Sequence, residues 1–166
     1  MAPAAVLLTL YPVEGDLHVV LQKRSQQVEH HKGEISFPGG MADPDDESLL
    51  HTALREAHEE MGIDPDDVDI IGRLDDTPTI TRFMISTYVG MVPSDYCFVP
   101  SSIEVAEVLT VPLTHLRDPS AYRVETHLEG DTFRTMPVFV YEGHVIFGAT
   151  ARILDQFLSV TAELPV

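Results

Sequence analysis

Three glutamates fall within five positions of this chain, Glu56, Glu59 and Glu60, in the stretch FPGGMADPDDESLLHTALREAHEEMGI that runs from Phe37 to Ile63. At about 100° per residue they share one helix face, while Leu50, Ala53, Leu54, Ala57 and Met61 form the adjoining apolar arc. Like charges at i,i+3 and i,i+4 repel by a few tenths of a kcal/mol per pair, so the cluster calls for a compensating cation or a solvated face. Hard divalent ions such as Mg²⁺ take carboxylate oxygens together with phosphate oxygens and water. The Gly39-Gly40 turn just upstream has no Cβ to block close approach, so a Gly39 or Gly40 carbonyl could complete such a site. Arg55 stands four residues before Glu59 and could pair with it or with Glu47, orienting an acidic group. Alone, EAHEE would be an ordinary solvated helix face in an acidic chain, and the residues around it decide.

The elements that must position this stretch are partly readable. Val6 to Tyr11 and Leu17 to Lys23, separated by the turn-forming Pro12-Val13-Glu14-Gly15-Asp16, predict two strands joined as a hairpin. Arg24 to Lys32 reads as a loop leading to a short extended piece at Glu34 to Phe37. Its adjacent His30 and His31 point in different directions and lack the i,i+4 spacing of a helical metal pair. Ser48 or Asp46 caps the expected helix, which runs to about Met61, and Gly62 stops it. Val68 to Leu74 and Phe83 to Val92 predict strands, with a loop at Asp75 to Pro78. Between Pro100 and Leu116 periodicity does not separate strand from short helix. Tyr122 to Leu128 and Thr132 to Tyr141 predict a second hairpin, and Ala149 to Thr161 a closing helix. Strands on both sides of a central helix, with another helix at the end, predict a mixed sheet sandwiched by helices, α/β or α+β in class.

The chain of 166 residues, 44% hydrophobic and without low-complexity runs, fits one domain, 1–166. Its formal charge of -17, from 27 acidic and 10 basic residues, opposes binding to nucleic acid and to anionic membranes and suits a protein that recruits cations. The single cysteine, Cys97, allows no intrachain disulfide and reads as a packing residue in a reduced compartment. Ala4 to Leu10 is too short to span a bilayer and has no basic flank, so a cytoplasmic location is expected. Phe83, Phe98, Phe133, Phe139 and Tyr141 do not alternate with basic residues and read as core or surface aromatics rather than base-stacking platforms.

Gly40, Glu47, Arg55, Glu56, Glu59, Glu60, Gly62 and Ile63 together resemble the box of the Nudix hydrolases, with several fixed positions in one window. The gap from Gly40 to Glu47 is one residue longer than the common form, as in the coenzyme A pyrophosphatase branch, so either Asp46 or Glu47 takes the role of the loop acid. Val20 to Ser25, Gly33 and Phe37 to Gly40 resemble that branch's additional motif, and Ser102 to Glu107 and Phe147 to Leu154 resemble its downstream segments. Two positions depart from it, Gln22 where the branch usually has Thr and Glu29 where it often has Arg. The resemblance implies a Nudix-type α/β/α sandwich and hydrolysis of a nucleoside diphosphate linked to another moiety. Coenzyme A or an acyl-coenzyme A would give 3′,5′-ADP and 4′-phosphopantetheine or its acyl form. ADP-ribose or NADH is the alternative substrate, and a non-catalytic nucleotide sensor the third reading. The resemblance further implies Mg²⁺ or Mn²⁺ on Glu56, Glu59, Glu60 and a Gly39 carbonyl, and Arg55 and Glu59 as catalytic groups. It leaves Glu104 as a further ligand or general base, Arg24, Lys32 and Gly40 as contacts to a small nucleotide substrate, and a homodimer as the expected assembly.

Overall fold

The computed structural model describes residues 1–164. Strand β1 (Ala2–Val13) turns through Glu14 and Gly15 into β2 (Asp16–Arg24). Both turn residues have positive φ, 48° and 86°, the pairing that matches a two-residue hairpin turn to the twist of its strands. β1 is buried on both faces, as its nearly continuous apolar run requires. Ala5 and Leu7 point to one side and Leu8 and Leu10 to the other, and each side meets its own helical layer.

The central sheet is mixed: β1 lies parallel to β7 (Phe83–Met91) and antiparallel to β2, with β5 (Asp69–Arg73) and a two-residue β6 (Thr77–Pro78), within the expected loop, antiparallel to β7, and β8 (Val105–Pro112) on the far edge of β2. The hairpin strands stay paired only from Thr9↔Val20 to the turn. Beyond that they part, and the fork is filled from both sides. β3 (Ile35–Ser36) pairs with Gln22 and Lys23 of β2, and β4 (Gly39–Met41) pairs with Ala4 to Val6 of β1. The Phe37-Pro38-Gly39-Gly40 segment therefore sits at the split of the sheet.

Helix α1 (Leu49–Met61) covers this end on one face. Ser48 Oγ accepts the His51 N–H at 3.1 Å, and Gly62, at φ 66°, returns its N–H to the last turn, so both expected ends hold. Ala53, Ala57 and Met61 are fully buried against Ala5, Leu7 and Val20. On the other face α2 (Leu113–Leu116) and α3 (Gly148–Val160) bury Leu113, Leu116, Ile153, Leu154 and Phe157 against Leu8, Leu10, Val19 and Leu21. The ambiguous stretch Pro100 to Leu116 thus contains both a strand and a short helix.

A second, three-stranded antiparallel sheet joins β9 (Tyr122–Glu129), β10 (Thr132–Tyr141) and β11 (His144–Ile146). The last strand was not expected, because three residues carry no readable alternation. The outer part of the β9–β10 ribbon is amphipathic. Leu128 and Phe133 are opposite one another with Val124 on the same face, and Phe133 is 77% exposed. Arg123, Glu125, His127, Glu129 and Arg134 form ion pairs on the other face, so Arg123 and Arg134 are engaged there. Cys97 is exposed, correcting the expectation of a packing residue: it lies in the irregular segment between β7 and β8, outside both core clusters. Among the described residues no helix is long and apolar enough to cross a membrane.

Candidate active site

Pro38 C=O accepts from Leu7 N–H and Ala42 N–H donates to the Pro3 carbonyl, so the residues flanking β4 on either side bond to β1. Gly39 and Met41 then direct their backbone groups away from β1, toward α1. Gly39 N–H donates to Glu60 Oε2 at 2.9 Å, and Met41 C=O accepts from Arg55 at 3.3 Å. The two glycines have different steric reasons. A Cβ on Gly39 would lie 2.4 Å from the Ala5 carbonyl oxygen, whereas one on Gly40 would lie 2.5 Å from Glu56 Oε1. Gly40 is thus the floor beneath the Glu56 carboxylate.

Glu60 is only 4% exposed, so of the two alternatives the sequence left for the cluster, a compensating cation or a solvated face, the second does not hold for this glutamate. It falls at the border with the apolar arc, beside the fork, where β2 and β4 close over it. Gln22 Nε2 donates to Glu60 Oε2 at 3.0 Å, and Arg24 Nη1 stands 3.8 Å from Oε1. Burial pushes the Glu60 carboxyl up to about 7, against the opposing pull of the Gly39 and Gln22 hydrogen bonds. Burial also raises Glu56, helped by the negative charges of Glu59 and Glu104 and opposed by Arg55. Glu59 remains half in solvent, its side chain 54% exposed.

Arg55 is the organising cation. Its Nε and Nη2 donate to the two oxygens of Asp46, each at 2.9 Å, in a bidentate pair. Nη1 donates to Glu56 Oε1 at 2.9 Å and lies 3.4 Å from Glu59 Oε2. Asp46 also accepts from Thr52 Oγ1 at 2.8 Å and from Asp43 N–H at 2.9 Å. The Arg55 guanidinium holds the Asp46 carboxyl far below the usual carboxylate range. The alternative left by the sequence is thereby decided for pairing: Asp46 grips Arg55, while Glu47 is exposed and spends its N–H on His51 Nδ1.

Glu104 is brought to the same end by Ser25, a residue the sequence did not single out. Ser25 N–H donates to the Glu104 carbonyl at 2.9 Å and Ser25 Oγ to the Ile103 carbonyl, tying the segment before β8 to the end of β2. Arg24 is steadied by the His30 carbonyl, and Lys32 is exposed, with no ion pair among the described residues. A groove of about 550 Å³ lined by Leu116, Pro119, Tyr122, Phe139 and Leu158 belongs to the α3 layer and includes none of these carboxylates.

Among the described residues no three His, Cys, Asp or Glu side chains converge tightly enough to hold a metal by themselves. Arg55 lies against Glu56 and Glu59, and Glu60 is drawn toward Gln22 and Gly39. The donor set nevertheless fits a hard cation that retains water and takes phosphate oxygens. Glu56 and Glu60 are carboxylates that burial disfavours in their charged form, and Gln22, bonded to Glu60, keeps its Oε1 buried without a hydrogen-bond partner.

The NUDIX domain model matches residues 1–123. The chain is a member of the Nudix hydrolase family. As such it is a hydrolase of phosphoanhydride bonds, of a family that generally requires divalent metal ions. It is 35% identical over 148 residues to Nudix hydrolase NudL of Cronobacter sakazakii, covering 89% of this chain and 77% of that one. Its identity to NudL of Enterobacter sp. strain 638 is 37% over 154 residues, covering 92% and 79%. The fold matches that of the Nudix hydrolase RenU of M. smegmatis with a TM-score of 0.67, 22% identity and coverage of 99% and 88%. This Nudix hydrolase carries its box on β4, the loop after it and α1, with β2 closing the buried side.

Proposed function

We propose that this Nudix hydrolase cleaves the pyrophosphate of coenzyme A or its acyl thioesters, using Mg²⁺ or Mn²⁺, in the cytoplasm. The observation that carries the reading is the meeting of Arg24, at the end of the Val20 to Ser25 segment, with Glu60 of the box at 3.8 Å. It puts the segment resembling the coenzyme A branch at the carboxylates. Glu56, Glu59, Glu60 and the Gly39 carbonyl hold the cation. When bound, such an ion acidifies a water and offsets charge on phosphate oxygens. Arg55, fixed by Asp46, orients Glu56 and Glu59, and Glu104 stands by to accept a proton. Arg24 and Lys32 meet the anionic substrate, and Gly40 leaves room for it and for the Glu56 carboxylate.

ADP-ribose or NADH is the second reading, favoured by Glu29, an exposed acidic residue between β2 and β3 where the coenzyme A branch often has Arg. A purely binding sensor fits less well, since binding alone gives no reason to bury Glu60 and crowd it with Glu56. The test is a panel of coenzyme A, acetyl-coenzyme A, ADP-ribose and NADH with Mg²⁺ or Mn²⁺, products resolved by mass. The expected products are 3′,5′-ADP and 4′-phosphopantetheine or its acetyl form; faster cleavage of ADP-ribose would overturn the coenzyme A assignment.

We further propose a homodimer, with the apolar face of the β9–β10 ribbon at Val124, Leu128 and Phe133 in its interface. Exposed apolar patches of this kind mark contact surfaces. Light scattering should give twice the monomer mass for the native chain and the monomer mass for Phe133→Asp. A monomeric native protein would refute the assignment.

A further inference from the structure

Gln22 continues the row of Val20 along β2, the row whose Val20 packs with Ala5, Leu7 and Ala57 of the α1 layer, and it is 1% exposed. A polar side chain in such a row costs stability unless all its groups are paired. Here only half of it is. Nε2 donates to Glu60 Oε2 at 3.0 Å, while Oε1 is buried with no partner. An apolar residue of the same length would serve the core better, so the amide is explained by what it does to Glu60.

The Gly39 N–H reaches the same oxygen, Oε2, at 2.9 Å from the other strand of the fork. Two donors from β2 and β4 on one oxygen fix the rotation of the carboxylate and saturate that atom. Oε1 is left free of close donors, with Arg24 standing off at 3.8 Å. We infer that Gln22 is a positioning residue that clamps Glu60 through Oε2 and thereby presents Oε1 as the oxygen that binds the divalent cation. The inference rests on the cation site proposed above. It assigns a task to one of the two positions at which this chain departs from the branch it resembles, and it explains the orphaned Oε1 of Gln22 as a stability cost retained for the site.

The test is Mn²⁺ alone, titrated against the full chain and followed by electron paramagnetic resonance of the free ion, with thermal melting of each variant without metal. Gln22→Met keeps the length of the side chain and removes the donor; Gln22→Leu replaces it should the methionine variant not fold. The expected result is a Kd for Mn²⁺ weakened about tenfold, the loss typical of removing a partner that orients a ligand. The melting temperature should stay level or rise. In a Glu60→Gln background Gln22→Met should weaken Mn²⁺ no further, because the clamp has nothing left to orient. Affinity within about twofold of the native chain, an equal further loss in the Glu60→Gln background, or a fall in melting temperature accompanying the weaker binding would each overturn the inference. Native protein that binds no Mn²⁺ would instead remove the proposed cation site itself, and this role with it.

Discussion

Glu60→Gln is expected to abolish most turnover and, above pH 7, to make the metal-free protein more stable than the native chain. A cation's charge stabilisation is worth several kcal/mol, and at tenfold per about 1.4 kcal/mol its loss costs about a hundredfold or more in rate. The stability gain follows from burial. Glu60 titrates at about 7 in the folded protein against 4.5 for the free side chain. The folded state therefore holds this proton more tightly than the unfolded one. The contribution is fully present below pH 4.5, and is lost as pH rises through 7. The difference amounts to on the order of 3 kcal/mol. Glutamine keeps the shape and cannot ionise. The melting temperatures of the two proteins should thus diverge between pH 5 and 8, in favour of Glu60→Gln, in melts with a chelator present. Parallel curves across that range would refute a buried, ionising Glu60.

Asp46→Asn should destabilise the protein by about 2–3 kcal/mol, with Glu47→Gln within about 0.5 kcal/mol of native. Breaking a buried ion pair costs 3–5 kcal/mol; the lower figure applies because Arg55 is partly exposed and retains Glu56 and Glu59. The pH dependence runs opposite to that of Glu60. The Asp46 carboxyl is depressed from 3.8, so its stabilisation is complete above that pH and lost as pH falls through the much lower folded value. The gap between native and Asp46→Asn in urea unfolding should therefore be constant from pH 8 to 5 and shrink in stronger acid. Equal losses for Asp46→Asn and Glu47→Gln would contradict the assignment of the Arg55 partner.

What could be seen in the sequence was local. Gly62 announced the end of α1, and its start was narrowed to Ser48 or Asp46, of which Ser48 is the cap, because capping is chemistry within a few residues; the β1–β2 hairpin was announced by its turn. The glutamates and Arg55 were legible for the same reason. The fork was not, since it requires Ala4 to Val6 to change partner from β2 to a strand more than thirty residues away. With the fork went the burial of Glu60 and the task of Gln22, which the sequence marks as a polar residue near the end of a strand and a departure from the resembled branch, without a partner to explain it. Asp46 and Glu47 could not be separated because adjacent loop residues differ in direction, and only the fold sets which one turns toward Arg55.

The most direct test of the account is calorimetric titration of Mn²⁺ into the native chain and into Glu60→Gln at pH 8, where Glu60 is ionised in the folded state. The account predicts saturable binding by the native protein and at least tenfold weaker binding by the variant, with both fully folded. Binding of equal strength in the two proteins would contradict it.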